Sequence, residues 1–264
     1  MTIKSYLVQY VLPIINKFSG LVSLKVVTVG TPNRDFTAFF KHLKRMGIEF
    51  KSVIDVGVGN GSPTIYQSIP NAQFYLVEPV PAAKPLLKKL EKEIGAKIYN
   101  VAAGKEDGSI EFYVHEDVTG SSSYRQIEGE FMDGEKVEVP VRRLDRLIEQ
   151  KLVRPSLLKI DTQGSELEVL EGALGIIDEI DVLIIETSFH EFRQGAPEFH
   201  DIVFKMIELG FRTYEVLEGH YRSSDGALAQ VDLVFVKEDS VFRDNKAFFT
   251  RDQARQYLDS GQIK

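Results

Sequence analysis

The 264-residue chain contains no cysteine, which excludes disulfides, thiolate nucleophiles and thiolate metal sites. A reducing cytoplasm is the natural setting for such a sequence. Positive charge is also short: 32 Lys and Arg face 39 Asp and Glu, a formal net charge of −7. Phosphate binding depends on clustered Lys and Arg, so this balance argues against a nucleic-acid partner. The longest basic run, Lys84 to Lys92, is interrupted by apolar residues at helical spacing and reads as a solvated helix face. An integral membrane span is not expected. The nearest approach, YLVQYVLPII at 6–15, is too short, holds Gln9 and Pro13, and lacks a clear small-residue cleavage site. It reads as a short helix packing on the domain, with peripheral membrane contact as the alternative. Repeats and low-complexity tracts are absent. So is any dense cluster of metal-ligating side chains; no metal site is assigned, with a metal-assisted variant using Asp161 and Glu186 as the alternative.

What the chain does have is an alternation of strands and helices. Phe36, Phe39, Phe40, Leu43 and Met46 recur at helical spacing between the candidate caps Asn33 and Asp35 and the stop Gly47. SVIDVG at 52–57, QFYLVE at 73–78 and KIYNVA at 97–102 read as strands, with a Leu-striped helix ending at Gly95 between the last two. SIEFYVH at 109–115 and KVEVPV at 136–141 break the alternation and flank a polar loop. It resumes with a helix over 144–152, the strand SLLKID at 156–161, a helix from Ser165, the strand DVLIIET at 181–187 and a helix near 198–208. FRTYEVL at 211–217 and VDLVFV at 231–236 follow with no helix between them, which makes the final strand antiparallel. Thr250 and Gln253 form a capping box for a last helix stopped by Gly261. Such an order gives an α/β fold, a mostly parallel sheet covered on both faces. Residues 1–34 read as an N-terminal extension, 35–238 as the catalytic domain and 239–264 as a helical tail.

Open sheets of this kind bind ligands at the carboxyl ends of their strands. The first strand ends in DVGVGNG, placing Asp55, Gly57, Gly59, Asn60 and Gly61 in a turn that lets backbone approach a cofactor. A dinucleotide fingerprint needs a third glycine at position 62, where Ser62 stands. An acid ahead of the loop suits an ammonium better than a pyrophosphate, and so points to S-adenosylmethionine. Glu78, at the second strand end, suits the two hydroxyls of a ribose. Asp161 ends the fourth strand, and Gly164 permits a sharp turn there. Ser165 and Glu168 spell a further capping box that leaves Asp161 unexplained by structure alone.

The stretch LLKIDTQGSELEVLEGA resembles the K-I-D-x-x-G-x-E-x-x-V-L-x-G-A signature of the FkbM family of methyltransferases. VIDVGVGNG, LVEPVP, Ser121–Ser123, RRLDRL and VDLVFV stand in that family's order, so the resemblance covers roughly residues 50 to 237. One departure is Gly59 before Asn60, where the family commonly has the asparagine inside D-x-G-A-N-x-G. The resemblance implies a Rossmann-like seven-stranded methyltransferase sheet with an inserted β-hairpin, S-adenosylmethionine as donor, and a hydroxyl as acceptor. Sugars, polysaccharide precursors and secondary metabolites are the acceptors it suggests.

An alcohol must lose its proton on methylation, and Asp161, Glu186 and His190 are the candidate bases. The polar segment 118–135, with Tyr124 and Arg125, is expected to close over the acceptor. Three rivals stand beside this reading. They are an NAD(P)-dependent oxidoreductase, a non-catalytic module on the same fold, and a nucleic-acid methyltransferase. The last is disfavoured by the acidic charge and by the lack of an N/D-P-P-Y/F sequence after the fourth strand. Oligomeric state is not readable.

Overall fold

Asp35 caps the first described helix, accepting the Ala38 N–H at 2.7 Å, and α1 (Phe36–Arg45) buries Phe39, Phe40 and Leu43 on one face. The computed structural model describes residues 34–116, 118–129 and 132–259. The apolar stretch 6–15, the Asn33 cap and the Gly261 stop lie outside these residues. Among the described residues no helix is long and apolar enough to cross a membrane.

After α1 come β1 (Ser52–Val56), α2 (Pro63–Ser68), β2 (Gln73–Val77) and α3 (Lys84–Ile94). β3 (Lys97–Tyr99) and β4 (Ala102–Ala103) divide what the sequence presents as one strand. β3 pairs with β2, whereas β4 pairs with β6 (Glu135–Arg142), which runs antiparallel to β5 (Gly108–Val114). The inserted hairpin is therefore part of a separate three-stranded sheet. α4 (Leu144–Leu147) is a single turn where the pattern suggested a helix to 152. β7 (Ser156–Ile160), α5 (Glu166–Gly172), β8 (Val182–Ser188), α6 (Phe199–Glu208), β9 (Phe211–Tyr221), β10 (Leu228–Lys237) and α7 (Arg251–Asp259) complete the order.

The main sheet has seven strands in the order β3-β2-β1-β7-β8-β10-β9. β10 is antiparallel to both neighbours, and the pairings among β3, β2, β1, β7 and β8 are parallel. Every residue of β1 and of β7 is buried, as continuous apolar runs in a doubly covered sheet require. One apolar cluster joins α1, α2 and α3 to the sheet through Phe74, Leu87 and Val234. Another, around Leu158, Val169, Ile185 and Met206, lies against α5 and α6.

Two capping expectations part ways. Thr250 and Gln253 do exchange side-chain and backbone hydrogen bonds at 3.3 and 3.0 Å. Ser165 and Glu168 do not: Ser165 makes no capping bond, and its Oγ lies 2.7 Å from Ser123 Oγ. Glu168 accepts from Tyr124 Oη instead. Contacts with the 118–129 segment have taken both side chains away from the helix start.

Candidate active site

The register aligns the chemistry. Val56 pairs with Val77 and with Ile160, and Ile160 pairs with Ile185. The next residues along these strands are Gly57, Glu78, Asp161 and Glu186, and Glu186 in turn pairs with Asp232. These five positions form one row across the carboxyl edge. Two residues deeper, the same face carries Leu76, Asp55, Lys159, Ile184 and Val234. Alternation makes the lower row share a side with the upper one. One face of the sheet thus passes from a row in which Asp55 and Lys159 stand between apolar neighbours to a row dominated by carboxyl groups.

Gly57 holds the row together. Its N–H donates to Val77 O, and the Asp161 N–H donates to Val56 O, both at 3.0 Å. A Cβ at Gly57 would sit 1.8 Å from the Asp161 carbonyl oxygen, and its φ is +80°. No other residue fits there. At Gly164 (φ +122°) a Cβ would meet Ala196 and Tyr124 at 3.1 Å each. Buried Glu166 secures that turn by accepting the Thr162 and Gly164 N–H groups.

Along the row runs a cavity of about 880 Å³. At one end it is walled by Gly57–Ser62, Glu78 and Ala102–Ile110. At the other it meets Asp161, Gln163, Glu186, Glu218, His220 and Asp232. Glu78 is only 4% exposed, and each carboxylate oxygen accepts a backbone N–H at 2.8 Å, from Gly59 and from Val80. Burial raises its pKa against those two bonds. Gly59, Asn60 and Gly61 also line this end.

Asp55 stands apart from the row. It is fully buried and does not line the cavity. Tyr66 Oη donates to its Oδ2 at 2.7 Å, and Lys159 Nζ stands 3.8 Å from Oδ1. Desolvation raises its pKa, with Lys159 opposing. It therefore sits one layer below the place where a ligand's ammonium could touch it.

Lys159 is the residue that sequence reasoning passed over, although a lysine inside SLLKI was a visible signal. Its Nζ donates to Asp161 Oδ2 at 3.0 Å. Burial alone would lower its pKa, but Asp161, Asp55 and Asp232 overcome it and hold the ammonium charged. Asp161 also accepts from Gln163 Nε2 at 3.0 Å. Burial opposes its charge, yet Lys159 and these bonds keep its pKa below the usual range. Glu186 accepts from Gln163 at 2.5 Å and from Gln230 at 3.0 Å. Burial, then Asp161 and Asp232, push it up to about 9.

His190 stands elsewhere. It lines a small separate cavity with Phe192, Arg193 and Ser188, its ring centroid 5.7 Å from that of Phe192, and does not line the main one. The histidine in the cavity wall is His220. Glu218, His220 and Asp232 were not singled out because only the register of two long strands brings them here.

The 118–129 segment covers part of the cavity and is tied to the signature loop. Ser122 Oγ donates to Gln163 O at 2.7 Å, and Tyr124 Oη donates to Glu168 at 2.8 Å. Val118, Thr119, Ser123 and Tyr124 line the wall, whereas Arg125 is turned to Asp133 at 3.0 Å. Among the described residues no group of three or more His, Asp or Glu could hold a metal ion.

A family model described as the methyltransferase FkbM domain matches residues 55–213. No curated protein matches the chain. Among solved structures it is similar to the 1,6-didemethyltoxoflavin-N1-methyltransferase of Burkholderia thailandensis, solved with 1,6-didemethyltoxoflavin and S-adenosylhomocysteine. Identity there is 13%, over 77% of each chain, with a TM-score of 0.41. An rRNA methylase from Streptococcus thermophilus shares 11% identity over 80% of this chain and 99% of its own, with a TM-score of 0.41. The precorrin-6y C5,15-methyltransferase of Geobacter metallireducens shares 11% over 80% and 93%, with a TM-score of 0.39.

Proposed function

The chain belongs to the FkbM methyltransferase family, and from that premise we propose that it methylates a hydroxyl of a sugar, a polysaccharide precursor or a secondary metabolite. Its methyl donor is S-adenosylmethionine. The observation that carries the reading is Glu78, a buried carboxylate fixed by two backbone donors in the wall of a cavity that continues to an acidic row.

The residues present suit this donor. Glu78 keeps lone pairs beyond those used by Gly59 and Val80, and these can accept from a ribose diol. The glycine loop offers backbone without side chains, and the ionised Asp161 suits an ammonium. When bound, S-adenosylmethionine supplies an electrophilic methyl on a sulfonium whose loss leaves a neutral thioether. The protein then has three tasks: to align the acceptor oxygen, to exclude water and to remove a proton. Alignment alone can be worth ~7–11 kcal/mol. Gln163 and Glu168, with Ser123 and Tyr124 from the covering segment, border the acceptor end and offer hydrogen bonds to a polyol. The carboxylates there oppose a phosphate, which favours a neutral or cationic acceptor over a nucleic acid.

Methyl transfer from isotopically labelled donor into a whole-cell extract, fractionated into small metabolites and RNA, tests the reading. Label in an ether-linked methyl group of a small product supports it. Label only in RNA, or no enzyme-dependent label, removes it.

A further inference from the structure

Three carboxyl groups line the acceptor end of the row, and their partners differ. Asp161 is held by Lys159 and Gln163, so it is a poor proton acceptor. Glu186 sits on two amide donors, and burial beside Asp161 and Asp232 raises its pKa to about 9. Asp232 lines the cavity, yet accepts no hydrogen bond from the described residues. Of the three it is the one to which no described residue donates on either oxygen, whereas Asp161 and Glu186 each hold two donors.

β9 has been shaped around it. Gln230 pairs with His220 and Asp232 pairs with Leu217, so Glu218 and Gly219 together oppose Val231. This is a β-bulge, a device that re-aims side chains beside sites. Glu218 carries a φ of +42°, strain that a non-glycine residue in a strand bears only where its surroundings enforce it. The bulge puts Glu218 and His220 in the cavity wall. Both lie beyond residues 55–213, the part of the chain that the family model matches.

Resting on the methyl-transfer reading, we propose that Asp232 is the catalytic residue that takes the acceptor's proton, with the bulged Glu218 bordering the same oxygen. The acceptor O–H bond breaks and its proton passes to an Asp232 oxygen. The acceptor oxygen's electron pair forms the C–O bond, and the C–S pair stays on sulfur. Asp232 then releases the proton to water. The titratable groups around Asp232 are Lys159 on β7 and Asp161 just past its end, Glu186 on β8, and Glu218 and His220 on β9. Burial, Asp161 and Glu218 push its pKa up to about 7 against the pull of Lys159. A base near the working pH is the efficient kind.

The test uses two probes on the full chain: S-adenosylhomocysteine, and sinefungin, which carries an ammonium where the donor carries its methyl. Calorimetry at pH 6 and pH 8 gives the ratio of their affinities. In the wild type the preference for sinefungin should rise roughly tenfold as Asp232 ionises. Asp232→Asn should abolish that rise and keep S-adenosylhomocysteine affinity, which also shows that the variant is folded. His220→Gln should preserve the rise. A rise that survives in Asp232→Asn, or disappears in His220→Gln, overturns the assignment. A wild-type ratio that stays flat while S-adenosylhomocysteine binds overturns it too and leaves the methyltransferase reading standing. No binding of S-adenosylhomocysteine at all defeats both.

Discussion

The two ends of the cavity are built by different means. The donor end is mostly backbone: a glycine loop, two N–H groups fixing one carboxylate, and a sheet edge so tight that position 57 admits no Cβ. The acceptor end is mostly side chain: carboxyl groups, one lysine and two glutamines, sorted by who donates to whom. Backbone makes a site whose geometry few side-chain changes can reach. Side chains on paired strands make one whose proton inventory can be tuned residue by residue.

Gly57→Ala should break the first kind of construction most severely. Its Cβ must push the β1 and β7 ends apart, and S-adenosylhomocysteine affinity should fall beyond measurement by calorimetry, with soluble yield falling too. An affinity near wild type would show that the tight edge is incidental. Glu78→Gln comes next. It leaves a buried amide facing an N–H donor, a loss of ~1–3 kcal/mol, so binding should weaken about 10- to 100-fold while the fold persists.

The acceptor end should reveal itself by pH. The folded state raises the pKa values of Asp232, to about 7, and of Glu186, to about 9. Each therefore contributes stability that is complete below the ordinary carboxylate range and is lost as pH rises through those values. Asp161 acts in the opposite sense. Its lowered pKa contributes stability above the ordinary range that is lost as pH falls. Glu186→Gln keeps an uncharged acceptor for Gln163 and Gln230. Between pH 6 and pH 9.5 its melting temperature should drop a few degrees less than that of the wild type. Parallel curves would mean that Glu186 ionises normally.

Tyr124→Phe should have the smallest effect. It removes one hydrogen bond to Glu168, about 1 kcal/mol, and should speed amide exchange over 119–124 while leaving S-adenosylhomocysteine affinity within about twofold. A large affinity loss would move Tyr124 from the cover into the donor site.

The same contrast explains what could be read from residues alone. Glu78, Gly57 and Asp161 announce themselves because acids and glycines at the ends of apolar strands have few other uses. The parallel sheet and the antiparallel β10 followed from the alternation and from its one break. The depth of Asp55 was hidden because a strand alternates: two residues before Gly57 on the same face is a layer deeper, bonded to Tyr66 and beside Lys159. His190 was chosen for the ordinary pKa of a histidine just past the strand that ends at Glu186, and the loop after β8 turns it to another cavity. Asp232, Glu218 and His220 needed the β9–β10 register and its bulge, which no pattern of single residues encodes.

Calorimetric titration with S-adenosylhomocysteine and NADH, on wild type and Glu78→Gln, tests the central claim most directly. One-to-one binding of S-adenosylhomocysteine, weakened at least tenfold by Glu78→Gln and with no heat from NADH, is the expected result. Binding of NADH, or an S-adenosylhomocysteine affinity indifferent to Glu78, would contradict it.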